Sequence, residues 1–126
     1  MGILNGLIGN ASEVNIENLN KEYERILTKD EKIEKAYKII RDLYIFTNKR
    51  LILVDKQGVT GKKTEYHSIP YRSITHFSIE TNGHFDLEAE LKIWISGTAL
   101  PITKNFNSSV NIYDLQKVLA EYCLDK

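Results

Sequence analysis

Residues 58–64 read GVTGKKT, a run of glycines, lysine and threonine that invites comparison with a phosphate-binding loop. Such a loop needs G-x-x-x-x-G-K-[ST], because its backbone N–H groups wrap the phosphates over that length and its last hydroxyl holds Mg²⁺. Counting back five residues from Gly61 reaches Lys56, and the residue after Lys62 is Lys63. Neither the first glycine nor the hydroxyl is in place, so the stretch reads as a turn whose glycines permit φ > 0. Asp86, Glu88 and Glu90 recur at every second position, which sets three carboxylates on one face of a strand. A hard cation wants flexible loops and carbonyl ligands that a strand does not supply, so a polar surface is the better account. His67, His76 and His84 have neither H-x-H nor H-x₃-H spacing, and the chain carries no nucleophile-elbow glycine pattern and no HExxH. The expectation is a protein with no catalytic residues, no metal and no cofactor.

The elements that must position these groups belong to one domain, since 126 residues leave little room for a second. Seventeen Lys+Arg balance 17 Asp+Glu, so no net field draws the protein to nucleic acid or to an anionic membrane. Cys123 is the single cysteine, which excludes an intramolecular disulfide and a cysteine-based zinc cluster. It reads as a small packing residue, and a cytoplasmic location is expected. The N-terminus has no basic region and no long apolar core, so it reads as neither a signal peptide nor a membrane span. Gly6 stands where a myristoylation motif wants Ser or Thr. Leu4, Leu7, Ile8 and Ala11 fall at helical spacing, which predicts a short helix docked on the domain in preference to a membrane-surface anchor.

A second helix is expected over 15–27, with Asn15 as N-cap and Ile16, Leu19, Tyr23 and Ile26 on one face. Thr28-Lys29-Asp30 breaks it. From Lys32 onward β-branched and aromatic residues alternate, and seven strands are predicted over 33–40, 43–47, 50–55, 63–69, 73–81, 85–96 and 100–106. Asn82-Gly83 is a hairpin signal, and Pro70 belongs at a strand boundary. In the sixth strand Phe85, Leu87, Ala89, Leu91, Ile93 and Ile95 point one way, and Asp86, Glu88, Glu90, Lys92, Trp94 and Ser96 the other. Such alternation means one face on a core and one toward solvent or a partner. A last helix follows, capped by Asn111, with Ile112, Leu115, Val118, Leu119 and Tyr122 as its apolar stripe. Seven short strands and one amphipathic helix predict a bent antiparallel sheet or open barrel plugged by that helix.

IRDLYIFTNKRLILVDKQGVTGKKTEYHSIPYRSI, followed by HFDLEAELKIWISG, resembles the bacterial pleckstrin-homology-like (bacterial PH domain) family. The resemblance runs from about Glu31 to the C-terminal helix, so 1–28 is set apart as a helical segment and 29–126 as the PH-like domain. It implies a mainly β (α+β) PH fold, with seven antiparallel strands in two near-orthogonal sheets forming an open barrel capped by the C-terminal helix. It further implies a cyclic homo-oligomer, a ring of about five subunits, with a hydrophilic surface that docks another protein. No enzymatic activity comes with the resemblance.

Inositol-lipid binding would need a basic loop between the first two strands, but residues 40–43 offer one Arg beside an Asp. Lys62 and Lys63, with Lys56, Arg50 and Lys49 at other strand ends, make a modest basic patch at most. An indole on the non-core face of a strand is costly to leave in water, and tryptophan is enriched at interface hot spots. Trp94, Lys92 and Glu90 are therefore the expected oligomer interface. Asp86, Glu88, Lys62 and Lys63 are the expected polar surface for a protein partner. The alternative is peripheral binding to a membrane through the apolar N-terminal helix or the Lys62/Lys63 turn.

Overall fold

The structure, a computed structural model, describes residues 12–13, 15–39, 42–58, 62–81, 88–107 and 112–124. The expected helix at Leu4–Ala11, the Asn82-Gly83 hairpin, the Asn111 cap, Gly61 and Asp86 lie outside the described residues. The chain divides into two compact units, Met1–Ile69 and Pro70–Lys126.

The first unit is an antiparallel sheet in the order β1-β2-β3-β4-β5, formed by Ser12–Glu13, Ile33–Ile39, Asp42–Thr47, Arg50–Gln57 and Lys63–Pro70. Helix α1, Ile16–Glu22, lies between the first two strands in sequence. The helix begins where Asn15 predicts, for its side-chain oxygen accepts the N–H of Asn18 at 3.1 Å. It ends sooner than residue 27. Tyr23 turns into the core at 5% exposure, and the Ile26 carbonyl turns out to accept from Arg50 Nη2 at 2.6 Å. Past Tyr23 the chain continues in turns, with the Ile26 and Leu27 N–H groups both donating to the Tyr23 carbonyl. Asp30 then holds φ at 67°, a left-handed conformation that aspartate tolerates better than most residues, and the chain enters β2.

β3 is buried from Leu43 to Thr47 and β4 from Leu51 to Val54, as their apolar runs require. Leu43, Ile45, Ile52 and Val54 share one face with Ala36, and Leu19 and Tyr23 cover it. The register Ala36↔Ile45↔Ile52 stacks three of these side chains in one row across the sheet. The opposite face carries Tyr37, Tyr44, Phe46 and Leu51, all buried. β4 runs to Gln57, and Gly58 follows with φ at 81°. A Cβ there would meet nothing within 4 Å, so the backbone twist, and not a lack of room, calls for glycine.

The second unit pairs β6 (Ile74–Thr81), β7 (Glu88–Ile95) and β8 (Ile102–Asn107) in that order, all antiparallel. A single 3-10 turn at Tyr71–Ser73 leads into β6. Helix α2, Ile112–Leu124, buries Ile112, Leu115, Val118, Leu119 and Cys123. Cys123 therefore sits in the apolar stripe as expected of a packing residue. Tyr122 is only half-buried and lies against Tyr71, ring centroids 5.0 Å apart. The seven strands read from the sequence are β2 to β8, and the two-residue β1 adds to the edge of the first sheet. The architecture is mainly β, with two antiparallel sheets and a C-terminal helix.

Candidate functional site

β7 delivers the alternation its sequence predicts. Leu91 and Ile93 are buried, whereas Glu90, Lys92 and Trp94 are half-exposed on the other face. Antiparallel register then sets their neighbours, since directly opposed residues share a face. Glu90 is flanked by Glu80 on β6 and Asn105 on β8, and Lys92 by Ser78 and Thr103. Trp94 faces His76. The outer face of this sheet is thus graded along the strands, acidic at one end, hydroxylated in the middle and aromatic at the other.

The aromatic end depends on a bulge. Ile74 pairs with Ile95, yet the next pair is His76 with Trp94, so Thr75 is an extra residue in β6. The bulge brings the imidazole flat onto the indole, with centroids 4.4 Å apart and planes 14° from parallel. The Thr75 hydroxyl lies 3.0 Å from His76 Nδ1 and donates to the Trp94 carbonyl at 3.2 Å, which fixes both partners. Trp94 is the single tryptophan of the chain, so its fluorescence reports on this site alone. His76→Ala uncovers one ring face, and the expected result is a red-shifted emission and greater quenching by acrylamide; an unchanged spectrum would mean that the stack does not persist in solution.

Lys92 Nζ and Glu90 Oε1 form a half-exposed ion pair at 3.6 Å, so the three expected interface residues are gathered on one face. Of the expected polar surface, Glu88 pairs with Asn107 through its backbone and its side chain lies outside the described residues, as does all of Asp86. Lys62 and Lys63 are exposed at the start of β5. Lys49 stays exposed and donates to the Lys29 carbonyl, but the wider basic patch loses Arg50, whose guanidinium makes four hydrogen bonds within the protein.

That engagement is the site sequence reasoning missed. Glu31 is buried, and its Oε2 accepts from Arg50 Nε at 2.8 Å and from Thr47 Oγ1 at 2.7 Å. Its Oε1 accepts from Arg50 Nη2, from the Thr28 N–H and from the Thr28 hydroxyl. Arg50 also donates to the Ile26 carbonyl and to Ser68 Oγ. Burial opposes the charge of Glu31, but the donors Arg50, Thr28 and Thr47 outweigh it and hold its pKa at about 2. Every oxygen of this carboxylate is committed to the protein, so the cluster is a clasp between α1's exit, β4 and β5 and offers nothing to a substrate. No residue pair in local sequence announces it, because Glu31 and Arg50 are 19 positions apart.

Tyr23 and Tyr66 meet edge to face, 6.2 Å apart, over a shallow groove of 860 Å³ lined by the stretch from Lys21 to Ile26. Burial, with Glu22 and Tyr66 adding to it, pushes the Tyr23 phenol up to about 12, so it stays protonated at neutral pH. Among the described residues no three His, Cys, Asp or Glu side chains converge as a metal site would need. Among them, too, no helix is long and apolar enough to cross a membrane.

Two antiparallel sheets and a C-terminal helix are what the resemblance implies, and a family model for the bacterial PH domain matches residues 2–123. This chain belongs to the bacterial PH domain family. Among solved structures, a pleckstrin homology domain from Shewanella amazonensis SB2B shares 53% identity over 91% of this chain and 93% of its own, with a TM-score of 0.84. A protein with a pleckstrin-homology domain from Shewanella loihica PV-4 shares 51% identity over 91% and 98%, with a TM-score of 0.79. The uncharacterized protein YjqA of Bacillus subtilis is 58% identical over 98% of this chain and all of its own length. The PH fold is thereby shown, and the family match includes the α1 segment that the sequence sets apart.

Proposed function

We propose that this bacterial PH domain is a non-catalytic interaction module that assembles with copies of itself into a closed ring and docks a further protein. The observation that carries the proposal is the Trp94–His76 stack at one end of an otherwise polar sheet face. A half-exposed indole stacked on an imidazole is suited to an interface, because the stack restricts it before a partner covers it. The edges of the sheets supply the second ingredient. β8 and β5 each end a sheet, and unpaired strand edges find N–H and C=O partners on a neighbouring copy, while cyclic symmetry stops growth before a fibre forms.

The non-catalytic part rests on the family and on how the polar groups are used. His76 is stacked and bonded to Thr75, Lys92 is paired with Glu90, and Glu31 is saturated by five donors. A lipid-binding role is the weaker alternative, since the Arg50 guanidinium is taken up by Glu31, Ser68 and the Ile26 carbonyl and leaves the patch that would have met a headgroup.

Native mass spectrometry tests the proposal. The wild-type chain at micromolar concentration should give a discrete oligomer, and Trp94→Ala should lower its order. A monomeric wild type would overturn self-assembly. An unchanged ring in Trp94→Ala would remove this face from the interface.

A further inference from the structure

The outer face of the second sheet carries an imbalance of charge. Glu80 and Glu90 are directly opposed across β6 and β7, a placement in which like charges repel. Lys92 offsets Glu90, whereas Glu80 is exposed and has no ion-pair partner among the described residues. The first sheet presents a pair of the opposite sign. Lys62 and Lys63 are consecutive and exposed, at the start of a strand that ends its sheet, and neither makes an ion pair with a described residue. Glu65 shares the face of Lys63 two residues on, but the two are not paired.

We infer that these two surfaces meet across a subunit boundary: Lys62 and Lys63 of one copy dock on the Glu80/Glu90 end of the next copy's sheet face. This inference rests on the proposed self-assembly and specifies which surface meets which. The chain supplies both signs in equal number, 17 basic residues and 17 acidic ones, and these two surface clusters are of opposite sign. Acidic ends set against each other would repel, but an acidic end set against a basic strand start attracts and orients. A contact between two different surfaces is head-to-tail, and head-to-tail contacts generate rings when the rotation closes. Glu90 and Trp94 lie four residues apart on one strand, about 13 Å. The charged contact and the aromatic contact therefore fit side by side in one interface.

Charge exchange in the full-length chain tests the pairing. Three variants are compared by size-exclusion chromatography and native mass spectrometry: E80K/E90K, K62E/K63E, and all four changes in one chain. Each half-exchange should weaken self-association roughly ten-fold or more, and the four-fold exchange should restore it, because the complement is rebuilt with its signs inverted. Wild-type assembly should also weaken as NaCl rises from about 0.05 to about 0.5 M. The neutral pair E80Q/E90Q, with circular dichroism as the folding control, should weaken association without adding repulsion. Half-exchanges that assemble normally overturn the inference, as does a four-fold variant that stays dissociated; the latter would leave the acidic end for a basic protein of another kind. Irregular aggregates of K62E/K63E would also overturn it, for the lysines would then be guards of a strand edge. If Trp94→Ala lowers the oligomer while charge exchange does nothing, self-assembly stands and this pairing falls. A monomeric wild type removes both.

Discussion

Replacing Glu31 with alanine is expected to cost about 3–5 kcal/mol of folding free energy, the loss typical when one partner of a buried ion pair is removed. The size follows from what is left behind. The Thr28 N–H and Arg50 Nε lose their acceptor at once, Thr47 Oγ1 is left with the Arg50 carbonyl, and the Arg50 guanidinium keeps only Ile26 O and Ser68 Oγ. Glu31→Gln keeps the shape and part of the bonding, so it should fall between wild type and alanine. Urea denaturation followed by circular dichroism measures both, and a loss under about 1 kcal/mol would show that water replaces the clasp without cost. The same carboxylate makes stability depend on acid. Its pKa in the fold is about 2 against an ordinary 4.5, so the folded state favours the ionised form. The stabilisation is fully present above about pH 4.5 and is lost as pH falls toward 2, roughly 3 kcal/mol in all. Glu31→Gln should flatten the stability profile in that window.

The second large effect is expected at Phe46. It is fully buried near the end of β3, and its ring meets Tyr37 edge to face at 6.1 Å and 86°. Phe46→Ala should cost about 3–5 kcal/mol, because it opens a cavity on a buried face shared with Tyr37, Tyr44 and Leu51, on paired strands that relax little. Up to about 1 kcal/mol of that belongs to the aromatic pair. Phe46→Leu, which keeps most of the volume, should lose less than half as much. If the two variants were equally unstable, ring geometry would matter more than cavity volume, against this account. Thermal unfolding monitored by near-ultraviolet circular dichroism separates them.

How much of this was legible in the sequence depends on the range of the interaction. Leu91 and Ile93 inside with Glu90, Lys92 and Trp94 outside follow from a period of two alone, which is local. So do the Asn15 cap and the turn at Gly58. The end of α1 at Tyr23 was not legible, because Tyr23 and Ile26 continue the helical spacing of apolar residues beyond it. The partner of Trp94 was hidden for a different reason. Continuing the ladder from Ile74↔Ile95 would set Thr75 opposite the indole, and the bulge replaces it with His76. One extra residue changes a hydroxyl neighbour into a stacked ring, and nothing in HFSIE or its flanks signals that shift. The glycine–lysine turn of residues 58–64 shows the opposite case, where spacing alone excluded the phosphate loop that its composition suggests.

The clasp also bears on the order in which the chain folds. Arg50 joins positions 26, 31 and 68, so its bonds close only after three stretches separated by 18 or more residues have met. Contacts of that span form late, because loop closure must precede them. Interactions absent from the folding transition state act on the rate of escape from the native state and barely on the rate of arrival. Glu31→Ala should therefore raise the unfolding limb of a chevron and leave the refolding limb nearly in place, which makes this buried carboxylate a determinant of the native state's lifetime.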